Sequence, residues 1–79
     1  INLQVLNVFP NPNNGTFKII TTNNSLKNIK VYDLVGQIVF VKETNEGIVP
    51  VNISDVAPGV YFVSVQIDNE IISKKIIKD

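Results

Sequence analysis

The chain contains no cysteine, histidine, methionine or tryptophan, and no arginine. Without cysteine or histidine it cannot assemble an ordinary zinc site, a thiolate nucleophile or a serine–histidine triad. A cysteine-free chain suits an oxidising destination, and it is equally at home in a reducing one. Lysine supplies all seven positive charges, and seven acidic residues balance them to a formal net charge of +0. There is thus no basic stripe for phosphates and no guanidinium for base edges, which excludes nucleic acid as a partner. The cluster Lys74, Lys75 and Lys78 is too small to hold an anionic membrane surface. No apolar run approaches the roughly 18 residues of a membrane helix, and no signal-peptide pattern opens the chain.

What is present is apolar and β-branched. Of 79 residues 44% are hydrophobic, mostly Ile, Val and Leu, which favours strands. A chain this short forms one domain, here residues 1–79, and buries only about 60–65% of its unfolded surface. That suffices for a core but leaves no room for a deep small-molecule pocket. The opening at Ile1 rather than Met reads as a piece cut from a larger protein that lies upstream.

Alternation and turn residues divide the chain into seven expected strands. The first covers Leu3–Val8 and stops at Pro10 and Pro12. The second, Thr16–Thr22, sets Phe17, Ile19 and Thr21 on one side. After a turn at Asn23-Asn24-Ser25 comes Leu26–Asp33, carrying Ile29 and Val31. Gly36–Glu43 follows, then a turn at Asn45-Glu46-Gly47 and a strand Ile48–Ile53. Pro50 cannot donate to a ladder, so that strand belongs at an edge or carries a bulge. Gly59–Ile67 is the strongest strand, with Tyr61, Val63, Val65 and Ile67 on one face. Asp68-Asn69 makes a two-residue hairpin loop, and Glu70–Ile77 closes the chain. No segment has a helical period with caps. The expected fold is all-β: an immunoglobulin-like antiparallel β-sandwich of about seven strands.

Three local features stand out. Pro10-Asn11-Pro12-Asn13-Asn14-Gly15 combines fixed proline φ values with residues that accept left-handed geometry, so it reads as a stiff, tight loop. Asp33-Leu34-Val35-Gly36 has the Asp and Gly spacing of a type I turn, its carboxylate accepting backbone N–H groups. Tyr61, after Asp55-Val56-Ala57-Pro58-Gly59-Val60, resembles a tyrosine corner, in which the hydroxyl bonds backbone upstream. All three have structural explanations. Neither a catalytic set nor an Asp/Asn calcium loop appears at recognisable spacing, so no cofactor and no metal are expected. Glycosylation-like triplets beginning at Asn14, Asn23 and Asn52 are cheap in a chain so rich in Asn, Ser and Thr.

Taken in order, these features resemble the type IX secretion C-terminal sorting domain of Bacteroidetes. The family opens with a strand leading into Pro-Asn-Pro, matched by Val8 to Gly15. Its Tyr/Phe-Asp-Leu-x-Gly turn is matched by Tyr32-Asp33-Leu34-Val35-Gly36. A Leu-x-x-Gly-x-Tyr-like segment is matched by Val56-Ala57-Pro58-Gly59-Val60-Tyr61, and a lysine-bearing tail by Lys74-Lys75-Ile76-Ile77-Lys78. Gln37 departs from the Arg or Lys that usually follows the turn glycine. The resemblance implies a label without chemistry of its own. By that resemblance the protein folds in the periplasm, and this domain is what an outer-membrane translocon and shuttle proteins would recognise. A sortase-like peptidase would then remove the domain, and the cargo would reach the cell surface or the medium. It places recognition in the last strand, at Ile71, Ile72, Lys74, Lys75, Ile76, Ile77 and Lys78, where a free strand edge would accept a partner by backbone pairing. The same edge would allow a dimer through terminal strands.

Two other readings compete. An immunoglobulin- or fibronectin-like accessory module, spacing domains or binding carbohydrate, needs an aromatic platform. Aromatics are only 8% of the chain, with Phe17, Tyr61 and Phe62 expected in packing and only Tyr32 and Phe40 able to face out. An enzyme would need paired carboxylates, and Asp33, Asp55 and Asp68 all sit in turns.

Overall fold

Burial on every second residue builds this molecule. The computed structural model describes residues 6–21 and 25–79. It contains β1 (Leu6–Phe9), β2 (Thr16–Thr21), β3 (Lys27–Asp33), β4 (Ile38–Thr44), β5 (Ile48–Asn52), β6 (Gly59–Ile67) and β7 (Glu70–Lys78). In β6 the side chains of Tyr61, Val63, Val65 and Ile67 are buried while the residues between them are half-buried or exposed. That period of two is the pleat of a strand with one face on a core. In β2 the same rule buries Phe17, Ile19 and Thr21, and in β3 it buries Ile29 and Val31.

The strands form two antiparallel sheets, ordered β1-β2-β5 and β4-β3-β6-β7. Their inner faces meet in one cluster, with Phe17, Ile19, Val49 and Val51 from the first sheet against Ile29, Val31, Tyr61, Val63, Val65, Ile67 and Ile76 from the second. This is the expected seven-stranded sandwich. The chain changes sheets after β2, β4 and β5, and two hairpins, β3–β4 and β6–β7, stay within the larger sheet.

Boundaries moved where turns took residues. Asp33 to Gln37 form one closed loop, so β4 begins at Ile38 rather than Gly36. The Asp68-Asn69 loop is as expected, with positive φ (54°) at Asp68. Residues 3–5 of the expected first strand and the Asn23-Asn24 turn lie outside the described residues.

The aromatic assignments changed. A register shift between Val31 and Tyr32 sets Phe40 opposite Val31 on the inner side, where it packs against the core. Phe62 instead shares the outer face with Tyr32, ring centroids 5.9 Å apart. Phe40 was able to face out by the sequence alone, and Phe62 was expected inside. The bulge inverts the first, because one extra residue flips every later side chain across the sheet. Phe62 lies outside because strict alternation with Tyr61 and Val63 leaves it no other face.

Pro50 sits on β5, at the edge of the smaller sheet, paired with Lys18. The bonds Thr21 N–H to Gly47 carbonyl and Ile53 N–H to Gly15 carbonyl identify the hydrogen-bonded positions of the β2–β5 ladder. Alternation then places Lys18 and Pro50 at a non-bonded position, so the proline nitrogen faces away from β2. Its missing N–H costs the ladder nothing.

Candidate recognition strand and the loop that clamps it

β7 is the outer strand of the larger sheet, paired with β6 from Glu70 opposite Ile67 to Lys78 opposite Gly59. Its residues divide by parity. Ile76 is fully buried, Lys78 is buried and Ile72 packs against the core, whereas Ile71, Lys75 and Ile77 are exposed on the other face. Lys74 shares the inner register with Ile72 and Ile76, yet it lies at the open rim and its side chain reaches solvent. The seven residues singled out in the sequence therefore do not form one surface. Two of them, Ile76 and Lys78, are structural members of the sandwich.

Lys78 is held by backbone. Its Nζ donates to the carbonyls of Ser54 (3.2 Å) and Val56. These carbonyls belong to the connection after β5, so the last strand is tied to a loop in the other half of the sandwich. A buried ammonium needs such acceptors to replace its water. Its stem runs past Gly15, where a Cβ would stand 2.8 Å from Lys78 Cε and 2.6 Å from Ser54 Cα. Gly15 also has φ +109°, a conformation other residues avoid. Space and dihedral both demand glycine there.

The Pro10–Asn13 loop lies along the outer edge of β7. Asn11 Nδ2 donates to the Lys75 carbonyl (3.1 Å), and Asn11 Oδ1 accepts from the Ile77 N–H (2.9 Å). The Asn13 N–H donates to the Ile77 carbonyl (2.9 Å), and the Asn13 carbonyl accepts from the Asp79 N–H (2.7 Å). Asn13 is itself buried, and its side chain closes the loop by donating to the Pro10 carbonyl and accepting from the Gly15 N–H (2.8 Å). Pro10 and Pro12, each preceded by a cis peptide bond, bring no N–H that would need a partner. The expectation of a free terminal edge is corrected here: from Lys75 to Asp79 the edge is occupied by the chain's own loop.

The two remaining motifs behave as read. Asp33 Oδ1 accepts from the N–H groups of Val35 (3.0 Å) and Gln37 (2.9 Å), and the Gly36 N–H donates to the Asp33 carbonyl (3.1 Å). Gly36, at φ +88°, completes a three-residue loop with a glycine bulge. Tyr61 buries its ring, and its hydroxyl donates to the Ala57 carbonyl at 2.5 Å, which is a tyrosine corner. The Asp33 loop and the Pro58-Gly59 segment together line a shallow cleft with Leu34, Val35 and Val60.

Lys27 was missed. It is buried at the inner end of β3, with Nζ donating to the Glu46 carbonyl (2.8 Å). Burial holds its ammonium below the ordinary 10.5, and the nearby Glu46 charge pulls partly the other way. The signal was its parity, two residues before Ile29 and four before Val31. Among the described residues no group of acidic side chains is arranged to hold a metal ion.

The family model that matches is the secretion system C-terminal sorting domain, over residues 7–79. The chain is also 32% identical over 72 residues to the ulvan lyase NLR42 of Nonlabens ulvanivorans, a match covering 89% of this chain and 14% of that enzyme. It thus spans a small part of the length of that relative. The loop, the Asp33 turn, the Tyr61 corner and the lysine-bearing last strand fall inside the family match, so this chain belongs to the type IX secretion C-terminal sorting domains, signals carried by cargo bound for the cell surface or the medium.

Proposed function

We propose that the type IX machinery reads this domain on the exposed side of β7, through Ile71, Lys75 and Ile77 with the solvent-reaching Lys74 beside them, while Ile72, Ile76 and Lys78 fix the strand's pose from within. The observation that carries this reading is the parity split of β7: apolar and cationic side chains are displayed together on a strand whose other face is anchored in the core. An isoleucine and lysine surface of this kind suits a partner with an apolar patch rimmed by acidic groups. The partners proposed are the outer-membrane translocon and its shuttle proteins, met after folding in the periplasm. A sortase-like peptidase then separates domain from cargo. The domain performs no chemistry in this scheme.

Export of a fused reporter tests it. The chain is placed after a periplasm-directed fluorescent protein, in a strain with type IX machinery and in one without. The expected result is surface or medium fluorescence in the first strain alone, lost on combining Ile71→Asp, Lys75→Glu and Ile77→Asp. Surface substitutions are the discriminating choice. Deleting residues 76–79 would remove Ile76 from the core and Lys78 from its carbonyls, and would unfold the domain whatever the machinery reads. Retention of the unaltered fusion in both strains would refute the reading and favour an accessory module, with the Tyr32–Phe62 face as its contact.

A further inference from the structure

An asparagine side chain beside the next main-chain N–H is a latent reaction. The deprotonated nitrogen of the following residue attacks the amide carbon, ammonia leaves, and a cyclic succinimide joins the two residues. Water then opens the ring at either carbonyl. One opening gives aspartate, and the other gives isoaspartate, with an extra carbon in the main chain. A side chain on the following residue hinders the attack, so glycine permits it best. Asn14 is the one asparagine of this chain followed by glycine. It is exposed to water and lies in the connection that carries the β7 clamp.

The fold opposes each step. The nitrogen of Gly15 is the nucleophile, and its N–H is held in a buried bond to Asn13 Oδ1 (2.8 Å). Losing that proton would leave an anion against the Asn13 oxygen, away from water. Asn14 Oδ1 accepts from the Thr16 N–H (3.3 Å), which ties its side chain forward along β2. The Gly15 carbonyl accepts from the Ile53 N–H (2.7 Å), so Gly15 is pinned at both of its peptide groups. The isoaspartyl product fits worse than the reactant. A carbon added to Gly15 Cα would stand 2.6 Å from Ser54 Cα and 2.8 Å from Lys78 Cε. Gly15 therefore has no room to be pushed by a longer main chain before it, and the slack must be taken by Asn13, whose main chain holds Ile77 and Asp79.

We infer that Asn14-Gly15 is a succinimide site latched shut by Asn13 in the folded loop, and that a chain left unfolded loses its β7 clamp for good through isoaspartate at this bond. The inference concerns the chemistry of the loop and stands whether or not the export machinery reads β7. Folding is then a race against a one-way reaction, and the structure that ends the race is the clamp itself.

The test holds the full chain at mildly alkaline pH, native in buffer or unfolded in urea, and follows Asn14 by peptide mass spectrometry with an isoaspartate-specific methylation assay. The unfolded chain should convert at least about tenfold faster than the native one. Equal rates would overturn the latch. Asn13→Ala removes the acceptor for the Gly15 N–H, and its Asn14 should convert about tenfold faster than the parent's in native buffer. Val63 and Val65 amides that stay protected report an intact core there, and a parental rate would overturn the role of Asn13. If Asn13→Ala loses core protection, the parent decides. Its Gly15 amide should be protected from hydrogen exchange about as strongly as Asn14 is from conversion, since both need the same bond to open, and an unprotected Gly15 amide would overturn the proposal. Chains bearing isoaspartate, returned to native buffer, should exchange the Ile77 and Asp79 amides at least about tenfold faster than the parent. Asn14→Asp should exchange them as the parent does, and parental exchange in the isoaspartyl chain would overturn the loss of the clamp.

Discussion

β5 and β7 are both edge strands, and the molecule blunts them in opposite ways. β5 carries Pro50, whose nitrogen points outward and has no hydrogen to offer. That protection is covalent and costs no ordering of other residues. β7 carries no proline and would present a regular edge, but its last residues are capped by a loop from the far end of the sequence. That protection is made of hydrogen bonds between segments far apart in the chain. A strand that must stay closed can use the first device.

The comparison breaks most completely if β7 loses its inner anchor. Ile76→Ala should cost about 2–5 kcal/mol, a large share of the stability of so small a domain, and a lowered urea midpoint with unchanged slope would show it. Equal stability of this variant and the parent would mean that β7 is held by its edge rather than its core face. Next comes Gly15→Ala, which sets a methyl group against Ser54 backbone and the Lys78 stem at φ +109°. A loss of about 2–3 kcal/mol is expected from strain and overpacking, and Asp79 amide exchange should quicken with it.

Lys27 supplies a smaller test away from both edges, at the end of β6 opposite to Lys78. Its folded pKa lies below the unfolded 10.5, so between those values the unfolded chain binds more protons and stability rises with pH. Below that window the penalty is constant. Lys27→Met should remove the penalty, because a methionine fills the site without a charge. The expected outcome is a variant more stable than the parent near neutral pH by about 1 kcal/mol, with the difference shrinking as pH approaches 10.5. Urea midpoints across pH, variant against parent, check it. A difference that grows with pH would reverse the assignment. The smallest effect on stability belongs to Pro50→Thr, within about 0.5 kcal/mol for a surface site. It restores an outward N–H to β5, so light scattering at high concentration should rise although the melting temperature hardly moves.

Much of the fold was legible because its rules are local. The parity of Tyr61, Val63, Val65 and Ile67, the turn at Asp33 and Gly36, and the edge role of Pro50 each depend on residues within one strand or loop. The inward face of Phe40 was not foreseen and the face of Phe62 was misread, for different reasons. A one-residue bulge at Val31 and Tyr32 has no composition signal, and Phe62 looked like core because it is aromatic, although its parity placed it outside. Lys27 was overlooked because its charge argued for solvent, while its register with Ile29 and Val31 argued for the interior.

The amino-acid sequence by itself determined the seven strands, their inner faces and the family motifs, since alternation, proline and glycine act over a few residues. Only the tertiary structure decided what the Pro-Asn-Pro loop and the terminal lysine do. Asn11 meets Lys75 and Ile77 across 64 and 66 positions, and Lys78 reaches Ser54 across 24. Contacts so distant leave no periodic trace in the chain. They arise when sheet packing brings one strand edge beside a loop with matching donors and acceptors, and buried polar groups must then pair.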